Sequence, residues 1–425
     1  MPADDPRPLT SRYRWTILAL LFAATTINYI DRQVLGILAP TLQRELRWSE
    51  SDYGAIVSWF SLAYGFGLLG MGRVLDAIGT RRGFSMAIVV WSVAAMGHAL
   101  ARTANGFSAA RALLGLGEAG NFPGAMKTVT EWFPRRERAL AVGIFNAGSN
   151  VGALLAPIIV PWLAITWGWR SAFIVTGAIG FGWLVCWRLR YDEPQHHLRV
   201  STRELAHIRS DPPETRQAIP WRHLLRHRQA WAFVIGKALT DPVWYFYLFW
   251  LPKFLDSNWG VKLTGLAAPL IVIYVVADVG SVAGGWTSSA LLGRGWSVNA
   301  ARKTALLAAA VMIVPTRFAP SASSMWVAVA IVSLAAAAHQ WWSANLYSTV
   351  TDLFPRSVVA SVIGIGGFAG AMSGFLFQRT TGRLLQSTGG DYRPIFLVCA
   401  FTYLVAFGVI HLLVPKMTPA ESPAG

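Results

Sequence analysis

Apolar residues along this chain come in long blocks, without the short rhythm of a soluble helix or strand face. The blocks lie near 15–40, 52–71, 83–101, 107–130, 139–163, 171–190, 230–255, 265–290, 302–318, 325–350, 358–379 and 394–414. Each approaches or exceeds the length a helix needs to cross a hydrocarbon layer about 30 Å thick. The pattern predicts an all-α membrane protein with twelve transmembrane helices. The seventh, ninth and eleventh blocks are the least clean, being interrupted by Pro, Gly or charge. An even number of crossings returns both termini to one side. The first block runs past signal-peptide length and lacks a small-residue cleavage site, so it is expected to stay in the mature chain.

One segment departs from this texture. Residues 191–228, "YDEPQHHLRVSTRELAHIRSDPPETRQAIPWRHLLRHR", are polar, basic and proline-bearing. They read as a cytoplasmic linker between a six-helix half at 1–190 and another at 229–425. Within the linker, "STRELAHI" opens on a capping Ser or Thr and predicts a short amphipathic helix at the membrane surface. The two halves share text: "TEWFPRRERALAVG" from 130 aligns with "TDLFPRSVVASVIG" from 351. Thr130 matches Thr351, Phe133-Pro134-Arg135 matches Phe354-Pro355-Arg356, and Gly143 matches Gly364. Each copy ends one predicted span and starts the next. Internal repeats of this kind are a transporter architecture.

Composition agrees with a membrane chain. Of 425 residues, 54% are hydrophobic and 14% charged, against about 25% charged in soluble proteins. The formal charge of +16 raises nucleic acid as a partner. Its placement excludes that reading. Arg73, Arg81 and Arg82, then Arg135, Arg136 and Arg138, then the arginines of the linker all fall in alternate loops on the side of the termini. The opposite loops are poorer in Lys and Arg. Positive charge accumulates on the cytoplasmic side, so both termini are expected there, in a bacterial inner membrane. Cys186 and Cys399 lie inside predicted spans and read as small hydrophobes, with no disulfide or metal site implied.

Charge inside the spans carries the chemistry. "NYIDR" places Asn28, Tyr29, Asp31 and Arg32 in the middle of span one. Intramembrane ionisable groups face a water-filled cavity or a partner. Adjacent helical residues point about 100° apart, which makes an Asp31–Arg32 pair poor geometry. Arg32 can hold a carboxylate in a bidentate fork, and Asp31 can take up and release a proton. Arg111 and Glu118 lie two turns apart on one face of span four, where a mutual ion pair competes with a proton-carrying role for Glu118. Lys237 adds a cation to span seven. Tyr64, Trp244, Tyr245 and Tyr247 suit the CH faces and hydroxyls of a sugar, although Tyr and Trp also form interface belts. Gln340, Ser343 and Asn345 are neutral polar groups for hydroxyls in span ten. His339 reads more readily as a hydrogen-bonded structural group, and Asp241 and Asp278 have no evident partner. A nucleophile–base set, metal-ligand spacing or cofactor motif is missing, so an enzyme is not expected, nor is any cofactor. A sensor would need a signalling extension.

"GMGRVLDAIGTRR", from 70 to 82, resembles the signature loop of the major facilitator superfamily. "NYIDR" and "RALLGLGEAGNFPGAMKTVTEWFPRRER" resemble its anion:cation symporter branch. "AHQWWSANLYSTVTDLFP" is most similar to the hexuronate transporters of that branch. The resemblance covers essentially the whole chain. It implies proton-coupled symport of a sugar acid such as glucuronate or galacturonate by alternating access. Asp31 and Glu118 would form the proton-coupling pair and Arg111 would modulate it. Arg32, Asn28, Tyr29, Tyr64, Lys237, Trp244, Gln340, Ser343 and Asn345 would face the substrate. The family often has Arg where this chain has Lys237, which keeps the charge and loses the planar fork. In the loop, Gly72 and Gly79 permit a tight turn, and Asp76 with Arg81 and Arg82 would latch the halves together on the cytoplasmic side. A single chain is expected to function as a monomer. An aldonate such as galactonate, a dicarboxylate or an aromatic acid stays open as cargo, and a membrane-embedded sensor stays open as the alternative class.

Overall fold

The structure, a computed structural model, describes residues 11–210, 224–354 and 356–418. No strand occurs among the described residues. The first seven helices are α1 (Tyr13–Leu46), α2 (Glu50–Ile78), α3 (Thr80–Gly97), α4 (Ala104–Glu118), α5 (Asn121–Trp132), α6 (Arg135–Trp167) and α7 (Trp169–Arg190). A short α8 (Thr202–Ile208) lies in the polar stretch. Then come α9 (Arg228–Trp259), α10 (Ala267–Gly293), α11 (Val298–Met312), α12 (Met325–Leu353), α13 (Arg356–Ser387) and α14 (Arg393–Leu413). These make twelve membrane crossings, with α4 and α5 together forming one.

Two crossings differ from the expected single rods. Span four breaks at Ala119–Gly120, where Gly120 donates its N–H to Gly117 in a tightened turn directly after Glu118. Span nine passes into 3₁₀ helix at Val314–Ser321, because Pro315 and Pro320 cannot donate to an α ladder. The repeat seen in sequence is repeated in conformation. Phe133 ends α5 in an extended cap with its N–H on Val129, and Phe354 ends α12 with its N–H on Val350. Pro134 then caps α6 from outside; Pro355 lies outside the described residues.

Nine stretches among the described residues are long and apolar enough to cross a membrane by length and composition. The crossings outside that set are α1, α4–α5 and α9. These helices carry Asp31 and Arg32, Arg111 and Glu118, and Lys237 and Asp241. The break leaves α4 and α5 each short of a full span, while α1 and α9 are long helices whose polar and charged residues lower their hydropathy.

The first seven helices meet the last six along α2–α13, α1–α9 and α6–α10. Contact is tight at the end where α1 passes into α2. There a Cβ on Gly54 would strike the backbone of Gly382, and one on Gly382 would strike Gly54. Tyr53 donates its hydroxyl to the carbonyl of Phe249 at 2.5 Å, Lys253 pairs with Glu50, and Arg44 reaches Asp256 at 3.2 Å. At the opposite end, Asp76 pairs with Lys127 at 2.7 Å and Arg302 with Asp352 at 2.8 Å. Each of these pairs stays within its own set of helices. Among the described residues, backbone contact and ion pairs thus close the two sets of helices on each other at the α1–α2 end.

Candidate functional site

The sequence of α1 places Asn28 one turn before Arg32, and a helix brings such pairs onto one face. Arg32 accordingly donates Nη2–H to Asn28 Oδ1 at 3.2 Å. Its Nε donates to Glu118 Oε2 at 2.7 Å. The guanidinium lies between the rings of Tyr29, Tyr64 and Phe60, each about 5 Å from its carbon. Both ionic side chains are almost wholly buried. The partner of Glu118 is thus Arg32 and not Arg111.

Arg111 turns the other way. It donates to the carbonyl of Arg32 at 3.1 Å and lies over Phe60 and Phe249. Its Nε and Nη1 have no protein partner among the described residues, nor do Glu118 Oε1, Asn28 Nδ2 or either oxygen of Asp31. Asp31 is 2% exposed and faces Thr176 of α7. Buried polar atoms are ordinarily satisfied. Several orphans beside one ion pair mark a place built for protons, water or a polar ligand.

A second pair sits on α9. Lys237 Nζ lies 2.8 Å from Asp241 Oδ1, one turn on, and donates to the Tyr347 hydroxyl at 3.1 Å. Asp241 is therefore partnered, contrary to its isolated appearance in sequence. The spacing of four residues was the available signal. Tyr245 faces Arg32 and Tyr64 across the junction between the two sets of helices.

Other expected residues are placed differently. Asn345 was expected to recognise hydroxyls, yet it donates to the carbonyls of Gly284 and Trp341 and holds α12 to α10. Trp244 stacks on His339 with ring centroids 4.9 Å apart, and His339 bonds the Tyr403 hydroxyl. That ring cluster fixes α9 to α12 and α14. Tyr247 bonds Thr316 away from the junction. Gln340 and Ser343 stay half-buried on α12, and Asp278 on α10.

The loop residues Gly72, Asp76, Gly79, Arg81 and Arg82 were expected to latch the two halves. Gly79 does form the turn, at φ +79°, whereas Gly72 lies within the continuous helix α2 and makes no turn. Asp76, however, pairs with Lys127 of α5, and Arg81 donates to the Arg188 carbonyl and to Asp192 after α7. Arg82 is exposed. Among the described residues, the partners these groups find belong to their own half.

Sequence reasoning missed Phe60, Phe249 and Thr176, which enclose the charges, and the Lys253–Glu50 contact. Apolar rings in apolar spans carry no distinguishing signal.

A family model described as Major Facilitator Superfamily matches residues 21–378. The chain is 31% identical to the hexuronate transporter of Escherichia coli K12 over 415 residues, covering 96% of this chain and 95% of that one. It is 34% identical to the galacturonate transporter of Dickeya chrysanthemi over 279 residues, 64% of this chain and 81% of that one. Among solved structures, a D-xylose–proton symporter superposes with a TM-score of 0.76 at 15% identity, covering 96% of this chain and 99% of that one. A bacterial homologue of the lysosomal transporter Spinster, inward-facing and occupied, gives 0.75 at 22% identity, covering 98% and 100%.

Proposed function

Since this chain belongs to the Major Facilitator Superfamily, we propose that it is a proton-coupled symporter importing a sugar acid such as glucuronate or galacturonate. The observation that carries the reading is the buried Arg32–Glu118 pair beside the buried Asp31 carboxylate, which has no ion-pair partner among the described residues. A guanidinium between aromatic rings suits a carboxylate attached to a sugar ring. While Glu118 is ionised it occupies that guanidinium. Protonation of Glu118 frees the fork, and a substrate carboxylate takes its place. Loss of the proton restores the internal pair and expels the anion. Asp31 serves as the second protonation site, and Arg111 holds the α1 backbone at Arg32 while biasing Glu118 electrostatically.

Alternating access follows from movement of one half, 1–190, against the other, 229–425, joined by the linker at 191–228. The arginine-rich loops support a cytoplasmic side for the end bearing the termini, in a bacterial inner membrane. We take the single chain to act as a monomer.

The test is uptake of radiolabelled glucuronate and galacturonate into proteoliposomes with an imposed inward proton gradient. Gradient-driven accumulation by the native chain, lowered by Glu118→Gln, supports the reading. Failure of both hexuronates while galactonate moves would replace the substrate and leave the mechanism.

A further inference from the structure

The site contains one ion pair in each half. Arg32–Glu118 lies in the first and Lys237–Asp241 in the second. The second pair is the more open of the two, with its side chains 9% and 16% exposed against 7% and none. It also has a built seat. Gly366 and Gly370 of α13 lie against it: a Cβ on Gly370 would collide with the Asp241 carboxylate, and one on Gly366 would meet Phe233 and the Lys237 stem. Tyr347 of α12 supplies a hydroxyl and a ring face to the ammonium. The titratable groups turned toward the pair are Tyr245 on α9, Tyr347 and His339 on α12, and Tyr403 on α14. The charge facing Asp241 is Lys237.

A cation that carries its own carboxylate cannot attract a substrate anion until that carboxylate is neutralised. In the first half Glu118 sets this condition for Arg32. We propose that Asp241 sets it for Lys237, as a further proton-coupling carboxylate in the second half. A proton from cavity water binds Asp241 Oδ1, the contact with Lys237 opens, and the ammonium turns to the substrate anion. When the anion departs, Asp241 returns its proton to water and closes on Lys237 again. The inference rests on the proton-symport reading of the same site, and it adds one proton to each cycle. Glycine at 366 and 370 gives the carboxylate and the lysine stem the space they occupy against α13.

The experiment measures steady-state accumulation in proteoliposomes against a series of imposed pH differences, with the membrane potential clamped at zero. Each coupled proton multiplies accumulation by about ten per pH unit, so the slope on logarithmic axes counts protons. Asp241→Asn is expected to lower the slope by one relative to the native chain, and Asp241→Glu to restore it. Glu118→Gln runs alongside as the reporter for the first half. A native slope with Asp241→Asn, beside a lowered slope with Glu118→Gln, overturns the inference and leaves the symport reading standing. A native chain with zero slope overturns both. Should the lone Lys237 charge unfold Asp241→Asn, the doubly neutral Lys237→Gln/Asp241→Asn chain carries the same expectation. The slope is an equilibrium quantity, so slower turnover in that chain does not alter it.

Discussion

Arg32 and Glu118, 86 positions apart in the chain, meet at 2.7 Å with neither side chain appreciably open to solvent. Asp31, the neighbour of Arg32, points instead toward Thr176 on α7. One turn of α1 thus sends a cation to α4 and a carboxylate to α7. The break after Glu118 lets α4 end where its carboxylate meets the guanidinium.

Replacing Arg32 by Lys keeps the charge and removes the fork that serves Glu118 and Asn28 together. A charge-assisted hydrogen bond is worth roughly 1.5–3 kcal/mol. Affinity for glucuronate, read by intrinsic fluorescence titration in detergent, should fall by about 10- to 100-fold. The melting temperature should change little, because the ammonium still neutralises Glu118. Affinity within twofold of the native value would remove Arg32 from the binding site.

The closed end rests on Lys253, which is 4% exposed and lies against the rings of Tyr53 and Trp250 while pairing with Glu50. Glu50→Gln takes from this buried cation its directly bonded counter-charge when the end is shut, leaving it the field of Asp256. Opening rehydrates it. A penalty of about 2 kcal/mol shifts the ratio of the two states near thirtyfold. Spin labels at Arg47 and Lys262, both exposed, in a chain lacking Cys186 and Cys399, would report it by pulsed electron resonance. The long-distance population should grow in Glu50→Gln. An unchanged distance distribution would deny the pair any part in closure.

Backbone contact supports the same closure without charge. Gly54 of α2 and Gly382 of α13 touch so closely that a side chain on either meets the other's backbone. Gly54→Val should therefore hold this end apart and slow uptake by at least about tenfold, the closed state costing more than 1 kcal/mol extra. The same spin-label pair separates the expected opening from simple misfolding, since an unfolded chain gives no defined distance.

The crossings were legible because membrane thickness dictates block length. The boundaries were less so, since helices extend beyond the hydrocarbon: α1 runs to Leu46 where the apolar block ends near 40. Ionisable residues in spans one, four and seven were visible as exceptions in apolar text. Their partners were not. Arg111 and Glu118 share a helical face, yet the tertiary contact of α1 with α4 gives Glu118 to Arg32. Asn345 had the right residue type for a sugar, and the close approach of α10 at Gly284 consumed its donors. The latch expected from Asp76 gave way to a contact inside its own half, because Lys127 of α5 packs within reach of its carboxylate.

The polar stretch makes a final prediction. Ser201 caps α8 and accepts from the Glu204 N–H at 3.0 Å. Glu204 in turn accepts from Ser11, from the N–H groups of Tyr13 and Arg14, and from the Arg14 side chain. Burial pushes the Glu204 carboxyl up, but those donors outweigh it and hold the group below the ordinary 4.5. A carboxylate with a depressed folded value stabilises docking above its unfolded value, and that contribution disappears as pH falls through the folded value. Docking of α8 on the start of α1 should therefore be intact at neutral pH and weaken below about pH 4.5. Glu137, bonded to Arg14 and His207, joins the same cluster. Glu204→Gln should reproduce the acid effect at pH 7, at a cost of about 1–2 kcal/mol typical of a lost helix cap. Hydrogen exchange of residues 202–208, normalised to the intrinsic rate at each pH, gives the readout. Protection equal at pH 7 and pH 4, in both chains, would show that α8 is held by its apolar contacts and not by Glu204.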